Sequence, residues 1–386
     1  MIKKILCVIL SLVMVLCFAS CGTSGEIDTE TEAETLKAAA EPSKKVVIMV
    51  APESQYPEDY RVAKALEKKY PDTVVVKEYA DSRVITAENP EIITISEEVA
   101  GDESVGAIIY ARATQFAYDA IQRVKSKNSD IFTVAIEPES DISDMCSAAS
   151  LVIAANWKKY ATDIITESKN QGAENFVFLS FSRHVNSNPL YAQLVSYFQS
   201  ECESQGITYI YKDISDTNSE TVSVANENVK ETLNYLFNRG MITSNNTTVF
   251  STVSLSQEAI VNYVKERGLI YICPSFPTAY NGIGEAYDIE YSDIDSYVKA
   301  VKTAVNSDSE NKGRFSIYTY SLVSALETGA LYTAFDYLNG ETDAEYAVET
   351  AILRLKEASG RDDFTAEAAF EKNGVECYAP GFETIE

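Results

Sequence analysis

The chain has 386 residues, with 32 lysines and arginines against 58 aspartates and glutamates, and a formal net charge of −26. A surface this acidic repels nucleic acid and anionic lipid headgroups, which argues against a DNA-binding protein. The length suits two domains better than a single core.

The first 21 residues form an export pattern. Lys3 and Lys4 precede an apolar run from Ile5 to Phe18, and Ala19-Ser20 stands directly before Cys21. A short basic segment, an apolar run too short to span a bilayer comfortably and small residues at the end predict a signal peptide. The ending resembles a bacterial lipobox, which implies a lipid on Cys21, although Phe18 stands where leucine is usual. The alternative is an ordinary secretory signal cut nearby.

Residues 22–43 are predicted to be a disordered acidic tether. The segment carries five acidic residues between positions 26 and 34 and no aromatic residue. It cannot bury enough apolar surface to offset its conformational entropy. The folded part is therefore expected to begin at residue 44, close to the membrane face.

Apolar runs alternate with helical stretches over the next part of the chain. Strands are expected at 45–50, 73–76, 106–110, 131–136 and 151–154, and helices at 59–70 and 115–125. Runs of valine and isoleucine that are apolar on both faces indicate parallel strands buried between helices. This part is expected to form a doubly wound α/β unit.

The alternation starts again after a helix at 157–169. Strands are expected at 176–181, 208–211, 247–253 and 269–273, and helices at 189–204, 220–238 and 257–267. Two α/β units in series are typical of a bilobed binding protein, a flavodoxin-like pair or a tandem Rossmann enzyme. The order of elements up to this point leaves all three open.

The last third contains a strand at 314–320 and a helix at 324–338 that carries Gly329 and ends in Leu-Asn-Gly-Glu. This stretch resembles the late crossover of type I periplasmic-binding proteins. With the lipobox and the tether, the chain resembles a solute-binding lipoprotein of that superfamily, and most of all an uncharacterised bacterial lipoprotein family. The resemblance implies an α/β fold of two doubly wound parallel-sheet lobes joined by a three-crossing hinge. The first lobe would hold 44–155 plus about 321–345, and the second 156–320 plus about 346–386.

Candidate ligand contacts follow the ends of the strands, because ligands bind outside the carboxyl ends of the strands in open α/β sheets. The candidates are Ser54, Gln55, Tyr56, Arg112, Thr114 and Glu137 in the first lobe, Arg183, Asn188, Asp213 and Ser275 in the second, and Tyr320 near the hinge. Ser54 and Thr114 are also placed to cap the helices that follow them and so to present backbone N–H groups to an anion.

Arg112 and Arg183, one from each lobe, are expected to hold one ligand, since a guanidinium can grip a carboxylate or sugar hydroxyls. The alternative is that each pairs with a nearby carboxylate of this acidic chain. Tyr56 is the tyrosine expected to stack on a ligand, and Trp157 is expected to pack at the hinge.

The sequence gives little support to catalysis. His184 is the only histidine, which excludes a multi-histidine metal site, and no Gly-x-Ser-x-Gly or early Gly-x-Gly-x-x-Gly motif is present. Of the four cysteines after Cys21, at positions 146, 202, 273 and 377, none forms a Cys-x-x-Cys pair, and up to two disulfides remain open. No enzyme, catalytic residue, metal or cofactor is expected.

The resemblance implies an extracytoplasmic, lipid-anchored protein that closes on a small polar molecule of the amino acid, sugar or nucleoside class. It would deliver that molecule to an ABC-type permease and bind no nucleic acid. The alternatives are a ligand sensor or surface-interaction lipoprotein of the same fold without transport, and a surface hydrolase.

Overall fold

In a computed structural model of the chain, the described residues are 39–53, 55–80, 90–216, 222–272, 282–290, 294–370 and 372–385. The packed unit begins at Ala39. Glu41 accepts a 2.7 Å hydrogen bond from the Thr73 hydroxyl, and the Ala40 carbonyl accepts one of 2.7 Å from Asn339. The expectation that the tether runs to residue 43 is therefore wrong for residues 39–43, which these two hydrogen bonds hold against the first lobe.

Seven strands form the sheet of the first lobe. The strands are β1 (Lys45–Val50), β2 (Val74–Glu78), β3 (Val105–Tyr110), β4 (Phe132–Ile136), β5 (Leu151–Ala155), β11 (Thr365–Ala369) and β12 (Gly374–Tyr378). Their order in the sheet is β11-β12-β5-β4-β3-β1-β2. All neighbours are parallel except β11, which runs antiparallel to β12.

Both faces of this sheet are covered by helices. The helices of the first lobe are α1 (Pro57–Lys69), α2 (Glu91–Ala100), α3 (Ala117–Lys127), α4 (Ile142–Ala148), α12 (Leu322–Leu338) and α13 (Ala347–Ser359). Along β1, Val46 and Ile48 point into one apolar cluster, whereas Val47 and Met49 point into a second cluster on the opposite face. Burial on both faces explains why β1 is apolar at every position after Lys45.

The return of the chain to this sheet corrects the predicted lobe boundaries. β12 pairs in parallel with β5, and Cys377 stands opposite Ala155. Val375 and Cys377 are fully buried there, because they cover an edge of β5 that would otherwise expose its backbone hydrogen-bonding groups. The assignment of 346–386 to the second lobe is thus wrong for the chain up to Tyr378.

The second lobe has its own sheet in two three-stranded parts. The strands are β6 (Asn175–Ser180), β7 (Thr208–Asp213), β8 (Thr247–Ser251), β9 (Tyr271–Ile272), β10 (Phe315–Tyr318) and β13 (Phe382–Thr384). The orders are β7-β6-β8 and β13-β10-β9, and a parallel bridge between Thr248 and Ile270 joins the two parts. Its helices are α5 (Trp157–Asn170), α6 (Ser182–Ser187), α7 (Pro189–Gln205), α8 (Val222–Asn238), α9 (Gln257–Arg267), α10 (Ile283–Ala286) and α11 (Ile294–Ser307), with a 3₁₀ turn at Ser254–Ser256.

The chain passes between the lobes three times. The crossings run from β5 to α5, from β10 to α12 and from β12 to β13. The predicted architecture, two doubly wound α/β lobes joined by a three-crossing hinge, is confirmed. Within the described residues, no helix has the length and apolar character needed to cross a membrane.

Candidate ligand site between the two lobes

Arg112 follows β3 and is buried, with only 2% of its surface exposed. Its Nε and Nη2 atoms each lie 3.2 Å from Asp59 Oδ1, and its guanidinium carbon lies 4.6 Å from the centre of the Tyr56 ring. The Tyr56 hydroxyl donates a 2.7 Å hydrogen bond to Glu139 Oε1. The guanidinium therefore pairs with the Asp59 carboxylate and lies over the face of the Tyr56 ring. The Tyr56 hydroxyl is in turn bonded to the Glu139 carboxylate.

Helix α1 places two of these groups. Pro57 occupies its first position, where a missing N–H costs nothing and the fixed φ suits a helix, so the helix begins directly after Tyr56. Glu58 and Asp59 stand in the first turn, where negative charge is favoured by the exposed N–H groups. This arrangement turns the Asp59 carboxylate toward Arg112.

Tyr191 reaches this cluster from helix α7 of the second lobe. It is 5% exposed, and burial raises its pKa, with further increases from Glu139 and Glu137 that Arg112 opposes. A side chain of one lobe thus lies within the electrostatic field of carboxylates from the other. The two lobes meet at this point.

His184, the only histidine, lies beside Tyr191. Its ring centre is 3.6 Å from that of Tyr191 and 4.8 Å from that of Phe181. Burial lowers its pKa to about 4, with a further lowering by Arg183, so the imidazole is neutral at pH 7.

Behind Arg112 lie three buried carboxyl groups, of Glu58, Asp59 and Glu327. Loss of contact with water raises the pKa of each one, that of Glu58 to about 7. Glu327 is fully buried on α12, and neither of its carboxyl oxygens has a hydrogen-bond partner. Since an unpaired buried charge is costly, burial of Glu327 favours its protonated form. In the described part of the chain, no three His, Cys, Asp or Glu side chains are arranged to hold a metal ion.

Glu137 links the first lobe to the hinge. Its φ of +48° lies in the left-handed region, which is strained for a residue with a side chain. Its Oε1 accepts a hydrogen bond from the Ala155 N–H, and its Oε2 accepts one of 3.0 Å from Trp157 Nε1. These two hydrogen bonds join the end of β4 to the first crossing. Trp157 packs at the hinge, where its indole N–H is bonded to Glu137.

An open pocket of about 120 Å³ begins at Glu137 and lies between the lobes. The first lobe contributes Pro138, Asp141 and Glu376, and the second contributes Leu190, Gln193 and Tyr197. Trp157 lines it at the first crossing, and Phe370 lines it from the turn between β11 and β12. A molecule in this pocket would contact both lobes.

Of the predicted site residues, Glu137 lines this pocket, and several others lie in or beside the neighbouring Arg112 cluster. Tyr56, Arg112 and Glu137 belong to one charged cluster. Gln55 forms the turn before Tyr56, with its N–H bonded to the Pro52 carbonyl at 2.8 Å. Asn188 is buried and caps α7, its Oδ1 accepting a 2.9 Å hydrogen bond from the Leu190 N–H, next to the pocket.

Thr114 is buried near the cluster, but it does not cap the following helix. Helix α3 starts after Phe116, and no side chain caps it. The Thr114 hydroxyl instead lies 3.5 Å from that of Tyr79, whose own hydroxyl donates to the Arg112 carbonyl at 3.3 Å. The predicted capping role is wrong because the chain makes an extra turn between residues 114 and 117 before the helix begins.

The remaining candidates lie apart from both the pocket lining and the Arg112 cluster. Arg183 is half-exposed and binds Asp216 of its own lobe through two hydrogen bonds, of 2.6 and 2.9 Å. Asp213 accepts hydrogen bonds from Ser182 and Tyr211 of its own lobe. Tyr320, at the second crossing, has the Arg361 guanidinium 5.2 Å from its ring centre. Closure of Arg112 and Arg183 on one ligand stays a prediction. Ser54, Ser275 and Cys21 lie outside the described residues.

Sequence reasoning missed other residues of the site. Glu139 follows Glu137 by two positions, so the rule for strand ends could have included it. Glu327 stands in a largely apolar stretch of α12, after Leu322–Leu326, in which Ser324 is the one polar residue, and before Ala330-Leu331. A charge in such a stretch was a usable signal. Tyr191, Phe370 and Glu376 carried no local signal, because only the tertiary fold brings them to the cleft.

Solved structures share this architecture. A putative transcriptional regulator from Clostridium difficile 630 aligns with a TM-score of 0.70 at 15% identity, over 88% of this chain and 98% of its own. An ABC transporter solute-binding protein from Clostridium phytofermentas with bound L-rhamnose gives 0.53 at 11% identity, over 89% and 96%. A LacI family transcriptional regulator from Arthrobacter sp. FB24 in complex with lactose gives 0.51 at 11% identity, over 89% and 100%. At these identities the likeness shows the fold alone.

No curated protein sequence matches the chain. Residues 44–316 match a family model described as a protein of unknown function, DUF3798. The chain belongs to this DUF3798 family, and its fold is that of the type I periplasmic-binding proteins.

Proposed function

We propose that the protein binds a small polar molecule between its lobes and closes on it by bending at the three crossings. The observation that carries this proposal is the pocket to which both lobes contribute, with Asp141 on one side and Leu190 and Tyr197 on the other. A ligand that contacts both lobes binds the closed form more tightly than the open form, and this difference drives closure.

The ligand class of the proposal is that of amino acids, sugars and nucleosides. The C. phytofermentas protein of the same fold holds L-rhamnose and the Arthrobacter regulator holds lactose, which supports a hydroxyl-rich molecule. Carboxylates, an amide and aromatic rings line the pocket, and these groups suit hydrogen bonding to hydroxyls and stacking on a ring. Binding without catalysis is proposed, because the only histidine is buried between two rings with its pKa lowered to about 4.

We also propose that the protein is exported, anchored through a lipid on Cys21, and that it delivers its ligand to an ABC-type permease. The pattern of residues 1–21 supports export and lipidation, and the solute-binding protein of the same fold supports delivery. The protein should incorporate radiolabelled palmitate when it is made in bacterial cells, and replacement of Cys21 by Ser should abolish that incorporation. Absence of label from the parent protein would contradict the anchor.

A second candidate is a ligand sensor or surface-interaction lipoprotein that imports nothing. The regulators from C. difficile and Arthrobacter favour it, since they have the same fold. Deletion of the gene separates the two functions: import predicts lost uptake of radiolabelled ligand, whereas sensing predicts unchanged uptake and a changed transcriptional response.

Trp157 provides a direct test of binding. It is the only tryptophan of the chain and lines the pocket, so its emission reports on occupancy. Titration with amino acids, sugars and nucleosides should give a saturable emission change with one class, and Trp157→Phe should remove the signal. The same compound at a hundred times its Kd should stabilise the fold by about 2.7 kcal/mol. No emission change and no rise in Tm with any class would contradict the proposal.

A further inference from the structure

We infer that the ligand of the interlobe pocket carries a cationic amine, bound by aromatic rings and a carboxylate. The inference rests on the proposed function, since it names the chemical class of the molecule that the cleft takes.

The charged groups that line the pocket favour a cation. Glu137, Asp141 and Glu376 contribute carboxyl groups, whereas Lys158 is the one cationic residue of the lining. The Arg112 guanidinium is held in the buried cluster by Asp59. Glu376 is half-buried, and Asn156 donates a hydrogen bond to its Oε2. Burial raises the pKa of Glu137 and Glu376, and a bound cation would favour their charged forms. Opposite charges attract more strongly in a partly dehydrated pocket than in water.

Three aromatic side chains give the same pocket its walls. Trp157 enters from the first crossing, Tyr197 from α7 of the second lobe and Phe370 from the hairpin of the first lobe. The faces of aromatic rings attract cations, and tryptophan does so most strongly. Rings beside carboxylates attract the charge of an ammonium group, in addition to the hydrogen bonds and stacking that they offer a neutral polyol.

The position of Phe370 is specified by the chain. Its φ of +63° is left-handed, and its side chain is 42% exposed, both unusual for a large aromatic residue. Gly374 makes room for it, because a Cβ at that position would lie 2.7 Å from Phe370 Cδ2. Of the four non-glycine residues with left-handed φ in the described ranges, Phe370 and Glu137 both line this pocket. Residues with strained backbone cluster at active sites and ligand-binding sites.

The test uses pairs of molecules that differ in charge but little in shape. Choline is compared with 3,3-dimethylbutan-1-ol, and putrescine with butane-1,4-diol, on the full chain at pH 7 and low salt. Affinity is measured by Trp157 emission and by calorimetry. We expect one cationic member to bind at least ten-fold more tightly than its neutral partner.

Variants assign that preference to the pocket. Glu376→Gln should reduce the preference about ten-fold, whereas Glu349→Gln, which removes an exposed carboxylate outside the pocket lining, should leave it unchanged. Phe370→Leu keeps an apolar side chain without a ring and should weaken the cation but not the neutral partner. Equal losses for both partners would indicate packing alone and would overturn the aromatic part of the inference.

The remaining outcomes distinguish an error in the inferred ligand class from an error in the proposed function. If neutral members, or uncharged sugars, bind as tightly as the cations, the inferred class is wrong and the proposed cleft binding stands. If neither member of either pair binds, the inference is overturned. If the amino acids, sugars and nucleosides also fail to bind, the proposed function fails with it.

Discussion

The hydroxyl oxygens of Tyr160 and Tyr318 lie 3.2 Å apart, where the three chain crossings come together. Tyr318 donates a hydrogen bond to the Ala379 carbonyl, and the Ala379 N–H donates one of 3.3 Å to the Tyr160 hydroxyl. Tyr160 follows the first crossing, Tyr318 precedes the second, and Ala379 lies in the third. One hydrogen-bond network therefore joins all three.

Removal of either hydroxyl should destabilise the hinge. Tyr160→Phe and Tyr318→Phe each leave a buried polar group without a partner, so each should lower the free energy of unfolding by about 1–3 kcal/mol. The double variant should lose less than the sum, because the two hydroxyls share one network. Urea unfolding measures all three, with Tyr346→Phe, at a 56% exposed tyrosine, as the control. Strictly additive losses would show that the two tyrosines act independently.

The buried carboxyl groups should make the protein less stable as pH rises. The pKa of Glu58 is raised by burial to about 7 in the folded chain, so the folded state holds a proton that the unfolded state releases near pH 4.5. Stability from this group is present below about pH 4.5 and is lost as pH rises to about 7, by an amount on the order of 3 kcal/mol. Ser321 donates to Glu58 Oε1, and a glutamine could still accept that bond.

Glu58→Gln tests the contribution. Its free energy of unfolding, measured in urea from pH 4.5 to 8, should fall less with pH than that of the parent. Glu349→Gln, at an exposed site, should follow the parent curve. Parallel curves for Glu58→Gln and the parent would contradict the assignment.

Arg112 and Arg183 should differ sharply in their effect on stability. Arg112→Met leaves the buried Asp59 carboxylate without its cation and should cost about 3–5 kcal/mol. Arg183→Ala breaks a half-exposed pair with Asp216 and should cost about 1 kcal/mol or less. Thermal and urea unfolding without ligand measure both.

A second variant separates charge pairing from packing at Arg112. Arg112→Met combined with Asp59→Leu removes both charges and should recover part of the loss. If Arg112→Met alone lowers the free energy of unfolding no more than Arg183→Ala does, the ion pair of Arg112 with Asp59 contributes little to stability. A role for Arg112 in binding the charge of a ligand would then be favoured over a structural role.

Gly374 should be intolerant of any side chain. A Cβ there would meet Phe370 Cδ2 at 2.7 Å and the Ala369 carbonyl, so Gly374→Ala should cost about 1–3 kcal/mol and displace Phe370. Urea unfolding measures the loss, and Trp157 emission measures the change at the pocket. An alanine variant with parental stability and parental emission would show that the hairpin tip adapts without cost.

Local patterns predicted most elements. β1 and α9 have the predicted bounds, 45–50 and 257–267, because continuous apolar runs and helical spacing are strong local signals. Helix α2, Glu91–Ala100, went unpredicted, since its isoleucines and threonine favour a strand and the helix exists through its packing on α3. β12 joins the sheet of the first lobe because β5 offers an open edge there. The sequence of β12 does not itself show with which strand it pairs.

The site was predictable only where it followed a strand. Tyr56, Arg112 and Glu137 came from the rule that ligands bind beyond strand ends, and they lie in one cluster. Arg112 pairs with Asp59 of α1. Asp59 comes within reach of Arg112 only when α1 packs against the sheet, so the sequence did not identify which carboxylate Arg112 would bind. Tyr191 reaches the site only because the two lobes meet there, and Phe370 reaches it through a hairpin turn. No local pattern of the sequence encodes either placement.

The most direct test of closure is the distance between the lobes with and without ligand. Spin labels at Gln122→Cys on α3 and Lys230→Cys on α8, both exposed, report this distance by double electron–electron resonance. The compound that saturates the Trp157 signal should convert a broad or long distance distribution into one short, narrow distance. An unchanged distribution at full occupancy of the pocket would contradict a cleft that closes on its ligand.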